Sequence, residues 1–160
     1  MPASAASPDA MAKPVRQLEI RRARLKDAAV IADLSGQLGY PATHPELTER
    51  LARLLRLSRV NQVFVAQAPS GEVVGWVHVS VNALLEVPLR AEVNGLIIAD
   101  GQRSLGAGAK LLQAAESWAR HKGCRSMSVR SNVIRDRAHA FYLRNGYDHY
   151  KTQKAFRKDL

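Results

Sequence analysis

The chain has 160 residues and a mass of 17.6 kDa, which is the usual size of one folded domain. Its hydrophobic share of 46% and charged share of 24% exclude global disorder, collagen and coiled coil. No stretch reaches the roughly 18 unbroken apolar residues of a membrane span, and Met1–Lys13 lacks the pattern of a secretory signal. We therefore expect one domain over residues 16–160 after a mobile leader over residues 1–15, with no export and no membrane partner.

The charge of the chain indicates an anionic partner. Net charge is +10, and residues 99–160 carry 13 Lys and Arg against 5 Asp and Glu, so the anion site is expected in this half. The cations are spread out and aromatic residues make up only 6%, which disfavours a nucleic-acid partner. The single cysteine, Cys124, cannot form an internal disulfide, and one thiol among scattered histidines gives no metal pattern. We therefore expect a cytoplasmic protein without a bound metal.

The first half of the chain alternates between strand and helix patterns. Polar and apolar residues alternate in the predicted strands, and apolar residues recur every three or four positions in the predicted helices. Thr43 or His44 is expected at the start of the second helix, and the turn Pro69–Glu72 joins two antiparallel strands. The predicted elements are a strand at 17–21, helices at 27–38 and 45–57, and strands at 60–68 and 73–81.

The second half continues with a strand whose middle contains Asn94-Gly95, which predicts a β-bulge or a close backbone approach. The remaining predicted elements are that strand at 91–99, a glycine-bearing loop at 100–108, a long helix to Lys122, a strand at 127–130, a helix at 137–144 and a last strand or hairpin at 147–157. The order is β-α-α-β-β-β-α-β-α-β. We expect an α/β (α+β) domain with a mixed, mostly antiparallel sheet.

The strongest local signal is the segment Arg103-Ser104-Leu105-Gly106-Ala107-Gly108 between a buried strand and a long helix. A helix N-terminus exposes unpaired N–H groups, and glycines let a diphosphate approach them, so the segment is a candidate phosphate site. A purely structural turn is the alternative. A P-loop is excluded because no Gly-Lys-Ser/Thr follows, and a dinucleotide fingerprint is excluded because Leu111 occupies its third glycine position.

A second signal lies about thirty residues further on, in the run Arg-Asp-Arg-Ala-His-Ala-Phe-Tyr-Leu-Arg-Asn-Gly-Tyr from Arg135 to Tyr147. A tyrosine on a short helix before a glycine is by itself most often a core aromatic. The two motifs and the element order together resemble the GNAT superfamily of acyl-CoA-dependent N-acetyltransferases. That family carries an Arg/Gln-x-x-Gly-x-Gly/Ala loop after a bulged fourth strand and a Phe-Tyr segment after the fifth, and the resemblance covers about residues 17–158.

The resemblance implies acetyl-CoA as cofactor, bound where the fourth and fifth strands splay apart. Tyr142 would be the general acid that protonates the departing thiolate. Where many members carry an Asn that touches the pantetheine arm, this chain has Arg135, and Asn132 is nearby but out of register. The residues expected around the cofactor are Leu96, Ile97, Ile98, Arg103, Ser104, Leu105, Gly106, Ala107, Gly108, Ala109, Asn132, Arg135, Ala138 and Tyr142.

An amine acceptor is a cation at neutral pH and must lose a proton before it attacks a thioester. Glu92 is the best candidate base, since it lies eleven positions before Arg103, the spacing at which some GNAT members carry a catalytic glutamate. Its alternative role is to bind the cationic acceptor or to pair with an arginine. The bulge would free N–H groups near Leu96 or Ile97 for the oxygen that gains charge. Cys124 is interpreted as a packing residue.

The first helical hairpin usually forms the acceptor wall in the family, so Tyr40, Pro41 and His44 are expected there, with His78 on the third strand as a further candidate. In detail the chain is similar to members that act on small amines such as aminoglycosides or aminoalkylphosphonates. We expect direct transfer to a small-molecule primary amine, with a homodimer as a further expected partner. The alternatives are acetylation of a protein N-terminus or lysine, and a non-catalytic acyl-CoA sensor.

Overall fold

A computed structural model describes residues 18–103 and 106–160 of the chain. The expected leader, the first residue of the first predicted strand, and Ser104 and Leu105 of the glycine loop therefore lie outside the described residues. The elements are β1 (Glu19–Arg22), α1 (Ala28–Gln37), α2 (His44–Arg56), β2 (Asn61–Gln67), β3 (Val73–Asn82), β4 (Arg90–Ile98), α3 (Ala107–His121), β5 (Ser126–Val129) and α4 (Asp136–Arg144), with a 3₁₀ turn at Leu25–Asp27.

The five strands form one sheet in the order β1-β2-β3-β4-β5. Each of the first four strands pairs antiparallel with its neighbour, and β5 pairs parallel with β4. The predicted mixed, mostly antiparallel sheet is confirmed.

None of the helices in the described part of the chain is both long and apolar enough to span a bilayer.

The helices cover the two faces of the sheet and form two apolar clusters. On one face α3 places Leu111, Leu112 and Ala115 against the sheet, at the spacing of three or four positions that predicts its helix. On the other face α1 and α2 supply Ile31, Leu34 and Leu51, among others. The strand residues of the two clusters alternate, which is the pattern of a sheet that is buried on both sides.

The start of α2 follows the predicted chemistry. Thr43 lies at the N-cap, its hydroxyl accepts from the Glu46 N–H at 3.3 Å, and the Glu46 carboxylate accepts from the Thr43 N–H at 2.9 Å. This reciprocal pair satisfies two N–H groups that the first helical turn leaves free. The local sequence thus fixes the start of the helix that ends the loop after α1.

The last predicted strand, at 147–157, is wrong: no strand follows α4, so the observed order ends at a helix. The chain turns at Tyr147, whose N–H donates to the Tyr142 carbonyl at 3.0 Å, and residues 148–160 are exposed. Alternation of polar and apolar residues gives a segment a preference for extended backbone, but a strand needs a partner for its N–H and C=O groups. Within the single chain this segment does not pair with β5.

The tightest approach within the sheet is predicted to fix the residue type at Gly75 of β3. A Cβ built there would lie 2.6 Å from the Ile97 carbonyl oxygen, whereas one built at Gly36 of α1 would meet nothing within 4 Å. We expect Gly75→Ala to lower the free energy of unfolding by about 1–3 kcal/mol. Gly36→Ala, the matched control, should raise it by up to about 1 kcal/mol because alanine favours helix. Urea denaturation measures both, and equal effects would contradict the packing described.

Candidate functional site

The sheet opens where β5 ends. β5 pairs with β4 only from Arg90 to Val93, and β4 continues to Ile98 without it. On that side the later N–H and C=O groups of β4 carry no ladder bonds. The expected splaying of these strands is confirmed, and it leaves the edge of β4 beyond Val93 without a strand neighbour on this side, a break in the sheet that we call the gap.

The gap begins at a β-bulge. His78 pairs with Gly95 and Val79 with Val93, so Asn94 has no partner on β3. The Asn94 amide donates to the Ser80 hydroxyl at 2.8 Å. A Cβ at Gly95 would lie 2.7 Å from the Trp76 ring, which is the close approach that the sequence predicts. Of the next three residues, Ile97 and Ile98 are buried in opposite clusters and Leu96 is half-buried.

Helix α3 begins beside the gap, with Gly106 at its N-cap in the left-handed region at φ +71°. Its first helical bond runs from the Lys110 N–H to the Gly106 carbonyl, so the N–H groups from Gly106 to Ala109 have no helical acceptor. Ala107 and Gly108 are buried, and a Cβ at Gly108 would lie 3.2 Å from Phe141. Gly108 therefore allows α4 to pack closely against α3.

A cavity of about 430 Å³ adjoins this helix start and is lined by Asp100, Gly101, Arg103 and Arg137. Arg103 pairs with Asp100 at 2.7 Å, whereas no carboxylate in the described chain pairs with Arg137. Two guanidinium groups against one carboxylate leave the cavity positive. The N–H groups of the helix start and this charge fit a phosphate-bearing ligand.

Tyr142 lies on α4, which brings it to the α3 side of the sheet. Its ring is in edge-to-face contact with Phe141 at 5.2 Å and with Tyr147 at 5.6 Å. Burial raises the pKa of Tyr142 to about 12. The phenol is therefore protonated at neutral pH, and it can donate a hydrogen bond but is a weak proton source.

Glu92 lies on the opposite face of the sheet, at the level where β5 ends, and is 5% exposed. One carboxylate oxygen accepts from Arg130 Nε at 2.6 Å, and the other accepts from the Asn82 amide at 2.9 Å. Each oxygen retains a second acceptor position. The predicted alternative that Glu92 pairs with an arginine therefore has a geometric basis, and a hydrogen bond from an amine or a water remains available.

The residues expected near the pantetheine arm have other partners. Arg135 donates to the Leu38 carbonyl at 2.8 Å, which ties the start of α4 to the end of α1. The Asn132 side chain accepts from the Ile134 N–H at 3.2 Å, and its carbonyl accepts from the Arg135 N–H. Ala138 is half-buried on α4. Asn132 thus shapes the loop after β5, and Arg135 holds the two loops that border the gap.

The expected acceptor residues do not form one cluster of side-chain contacts. Tyr40 is 70% exposed, and His44 hydrogen-bonds to Asp33 at 2.9 Å on the outside of the helical hairpin. His78 is half-buried beside the bulge, and its Nε2 lies 3.0 Å from the Asn61 amide oxygen. Burial lowers the pKa of His78, so its imidazole is neutral at pH 7.

Sequence reasoning missed Arg130, Asn82 and Arg137. Arg130 and Asn82 reach Glu92 only through the register of three strands. Arg137 lines the same cavity as Arg103 only because α4 packs near the start of α3. No local motif marks these positions. The one sequence signal for Arg137 is its positive charge near the start of the second motif, in the first turn of α4.

Cys124 lies at the turn between α3 and β5, where its N–H donates to the Ala119 carbonyl at 3.1 Å. Burial raises the pKa of the thiol. A raised pKa lowers the fraction of nucleophilic thiolate at pH 7. The interpretation of Cys124 as a packing residue stays consistent with this position.

The comparison with protein families matches residues 28–147 to the acetyltransferase (GNAT) family. The chain belongs to the GNAT acetyltransferase family. As a member it is an acyl-CoA N-acetyltransferase, and its cofactor is acetyl-CoA. The family resemblance, the fold and the enzyme class predicted from the two motifs are thereby confirmed.

Two curated relatives are named after small amines. The chain is 32% identical over 148 residues to an aminoglycoside N(6')-acetyltransferase of Stenotrophomonas maltophilia, covering 88% of this chain and 93% of the relative. It is 34% identical over 89 residues to an aminoalkylphosphonate N-acetyltransferase of Salmonella typhimurium, covering 54% and 58%. A solved aminoglycoside N-acetyltransferase in complex with CoA shares the fold, with a TM-score of 0.81 at 17% identity over 91% of this chain and 97% of that one.

Proposed function

We propose that this protein transfers an acetyl group from acetyl-CoA to the primary amine of a small molecule by direct attack, with both substrates bound at once. The observation that carries the proposal is the gap, where β5 leaves the edge of β4 unpaired between the α3 side and the α1/α2 side of the sheet. Tyr142 lies on the first side and Glu92 on the second. A cofactor arm entering from one side and an amine from the other would meet there.

The start of α3 is the proposed site of the cofactor phosphates. The free N–H groups from Gly106 to Ala109 would bind the pyrophosphate, and Arg103 and Arg137 would neutralise the phosphate charge from the adjoining cavity. When bound, acetyl-CoA supplies an acetyl group as a thioester with a thiol leaving group. The half-buried and buried residues Leu96, Ile97 and Ile98 would line the path of the pantetheine arm along β4.

Substitution of Gly106 tests this site. Gly106→Val places a β-branched residue at φ +71° and a bulky side chain among the free N–H groups, so we expect the Kd for CoA to rise at least about 10-fold. Gly123→Val is the matched control, since Gly123 has φ +82° and open space at the other end of the same helix. Calorimetry on folded proteins should show the loss only for Gly106. Equal affinity in the two variants would reject the site.

Tyr142 is proposed to stabilise the departing thiolate. The thiolate's conjugate thiol has a pKa of about 8.5, so full transfer from a phenol of pKa about 12 is uphill by roughly 5 kcal/mol. A hydrogen bond from the protonated phenol to the sulfur avoids this cost, because the phenol keeps its proton while it stabilises the negative charge of the thiolate. The general-acid role predicted from the resemblance is therefore proposed here as hydrogen-bond donation.

We expect Tyr142→Phe to lower kcat by about 10²-fold, the usual effect of removing one donor to developing charge, with unchanged affinity for CoA. Because the raised pKa keeps the phenol protonated, the ratio of wild-type kcat to Tyr142→Phe kcat should be constant from pH 7 to pH 10. Tyr147→Phe is the control, because the Tyr147 hydroxyl bonds to Glu116 and this variant should lose stability and keep kcat. A fully active Tyr142→Phe protein would leave Tyr142 as a packing residue.

Glu92 is proposed to take the proton of the acceptor amine or to order the water that takes it. Its buried carboxylate lies at the end of the β4–β5 pairing with hydrogen-bond capacity left. His78, neutral at pH 7 and close to the bulge, is the alternative proton acceptor. A base in this role contributes typically 10²- to 10⁴-fold.

Glu92→Gln keeps the shape and removes the charge. We expect the largest loss of kcat at pH 7 and a recovery as the pH approaches about 10, where the free amine loses its proton without help. Exposed Glu49→Gln on α2 is the control for a lost carboxylate. A raised KM with unchanged kcat at every pH would make Glu92 an acceptor-binding residue.

The alternative functions predict different substrates in one assay. A protein N-terminal or lysine acetyltransferase would release thiol with peptides, and an acyl-CoA sensor would bind CoA with no release. We propose small amines because the relatives named above carry such names. Thiol release with acetyl-CoA over amines, peptides and antibiotics separates the three. We place the reaction in the cytoplasm, in keeping with the single free thiol.

We also propose that two copies of the chain associate. β5 has only one neighbour in the sheet, and a strand edge of this kind binds further backbone. Residues 148–160 are exposed, with Tyr150 at 65% and Phe156 at 90%, and are free to supply that backbone. Light scattering on the full chain would reject the proposal if only the 17.6 kDa monomer were found.

A further inference from the structure

The acceptor side of the sheet carries a grid of polar side chains. Ser80 pairs with Glu92 and Asn82 with Arg90 across β3 and β4, and the same two β4 residues pair with Ser128 and Ser126 of β5. Directly opposed residues in a sheet share one face. We call these six residues the polar face: Ser80, Asn82, Arg90, Glu92, Ser126 and Ser128.

The polar face has more positive than negative charge. Glu92 is its one carboxylate, and that carboxylate is already bound to Arg130 and Asn82. Arg130 directs its Nε at Glu92 but has a side chain that is 80% exposed, so its two Nη groups face solvent. Arg90 has no carboxylate partner in the described chain, and its Nε is buried without a hydrogen-bond acceptor. Two arginines therefore flank one neutralised acid.

The carboxylates of the neighbouring hairpin have partners of their own and are exposed to solvent, which screens their charge. Asp33, whose side chain is 69% exposed, hydrogen-bonds to His44, Glu46 accepts from the Thr43 N–H, and Glu49 lies beside Arg53. Arg135 adds a further cation where it bonds to Leu38 at the end of α1. A polycationic acceptor would therefore meet uncompensated positive charge, which is costly in a partly buried site.

We infer that the acceptor is a primary amine that also carries an anionic group, a phosphonate, phosphate ester or carboxylate. This inference rests on the proposed function. The amine would lie at Glu92, and the anion would bind to the free Nη groups of Arg130 and to Arg90. A guanidinium binds such oxyanions with two parallel hydrogen bonds, which matches the exposed edge of Arg130. Of the two relatives' names, this favours the aminoalkylphosphonate over the aminoglycoside.

The first experiment compares acceptors in the thiol-release assay. Aminoethylphosphonate, phosphoethanolamine and β-alanine present the three anions, ethanolamine is the neutral amine, and neamine is the polycation. We expect kcat/KM for at least one anionic acceptor to exceed that for ethanolamine and neamine by about 10-fold or more, as for an added charged hydrogen bond. The arm with the highest value identifies the anion. Preference for neamine or ethanolamine overturns the inference.

The second experiment removes the anion's partner. Arg130→Gln should raise KM for the preferred anionic acceptor by about 10- to 100-fold more than KM for ethanolamine, whose change reports the lost contact between Arg130 and Glu92. Arg130→Lys, which keeps the charge, should restore part of the affinity. Arg120→Gln is the control, because Arg120 is an exposed residue on α3, across the sheet. Equal loss on the anionic and the neutral acceptor would mean that Arg130 only positions Glu92, and would overturn the anion site.

A binding measurement keeps the inference separate from the proposed function. Ethylphosphonate has no amine and cannot react, so its binding to the protein saturated with CoA reports the anion site alone. We expect calorimetry to detect binding in the wild type and a loss of about 10-fold or more in Arg130→Gln. If no amine releases thiol, the proposed function fails while this binding still decides the inference. Absence of binding in the wild type overturns it.

Discussion

The bulge at Asn94 is the constraint on which the site depends. Val93 and Ile97 are four positions apart on one strand and would share a face in a regular ladder, yet Val93 packs on the α3 side and Ile97 on the α1/α2 side. The extra residue reverses the alternation and increases the local twist of β4. Beyond this point β5 no longer follows β4. One unpaired residue thus produces both the gap and the change of face that places Glu92 and Ile97 on the same side.

The residues around the bulge are small or polar for packing reasons. Only a glycine at position 95 leaves room for the Trp76 ring, and the Asn94 side chain satisfies Ser80 across the strands. Gly108 has a corresponding role between α3 and α4, where Phe141 occupies the space of a side chain. The two sequence motifs are therefore linked physically, because the glycine of the first makes room for the aromatic residue of the second.

Charge in the site is organised by pairing as much as by number. Arg103 is held by Asp100, and Glu92 by Arg130, so these formal charges are largely offset at short range. Arg90, Arg135 and Arg137 have no carboxylate partner in the described chain and set the sign of the surface that each ligand meets. Part of the net charge of +10 therefore lies as unpaired arginine charge at the proposed cofactor side, and part lies at the proposed acceptor side.

Most elements could be predicted because their signals are local. The cap at Thr43, the stripe of α3 and the Asn94-Gly95 pair each act within a few residues, and the structure places each element within about two residues of its prediction. The prediction of a strand after Tyr147 was wrong because a strand needs a non-local partner for its backbone N–H and C=O groups. Local preference alone does not supply one.

The sequence by itself determined the family, the fold and the cofactor through two motifs of fixed spacing, since helix starts and tight turns require particular residues at particular positions. Only the tertiary structure decided which side chains meet Glu92. Arg130 and Asn82 lie 38 and 10 residues away from it along the chain, and they reach its two oxygens through the register of β3, β4 and β5. Register depends on the packing of both sheet faces together, and no single segment encodes it.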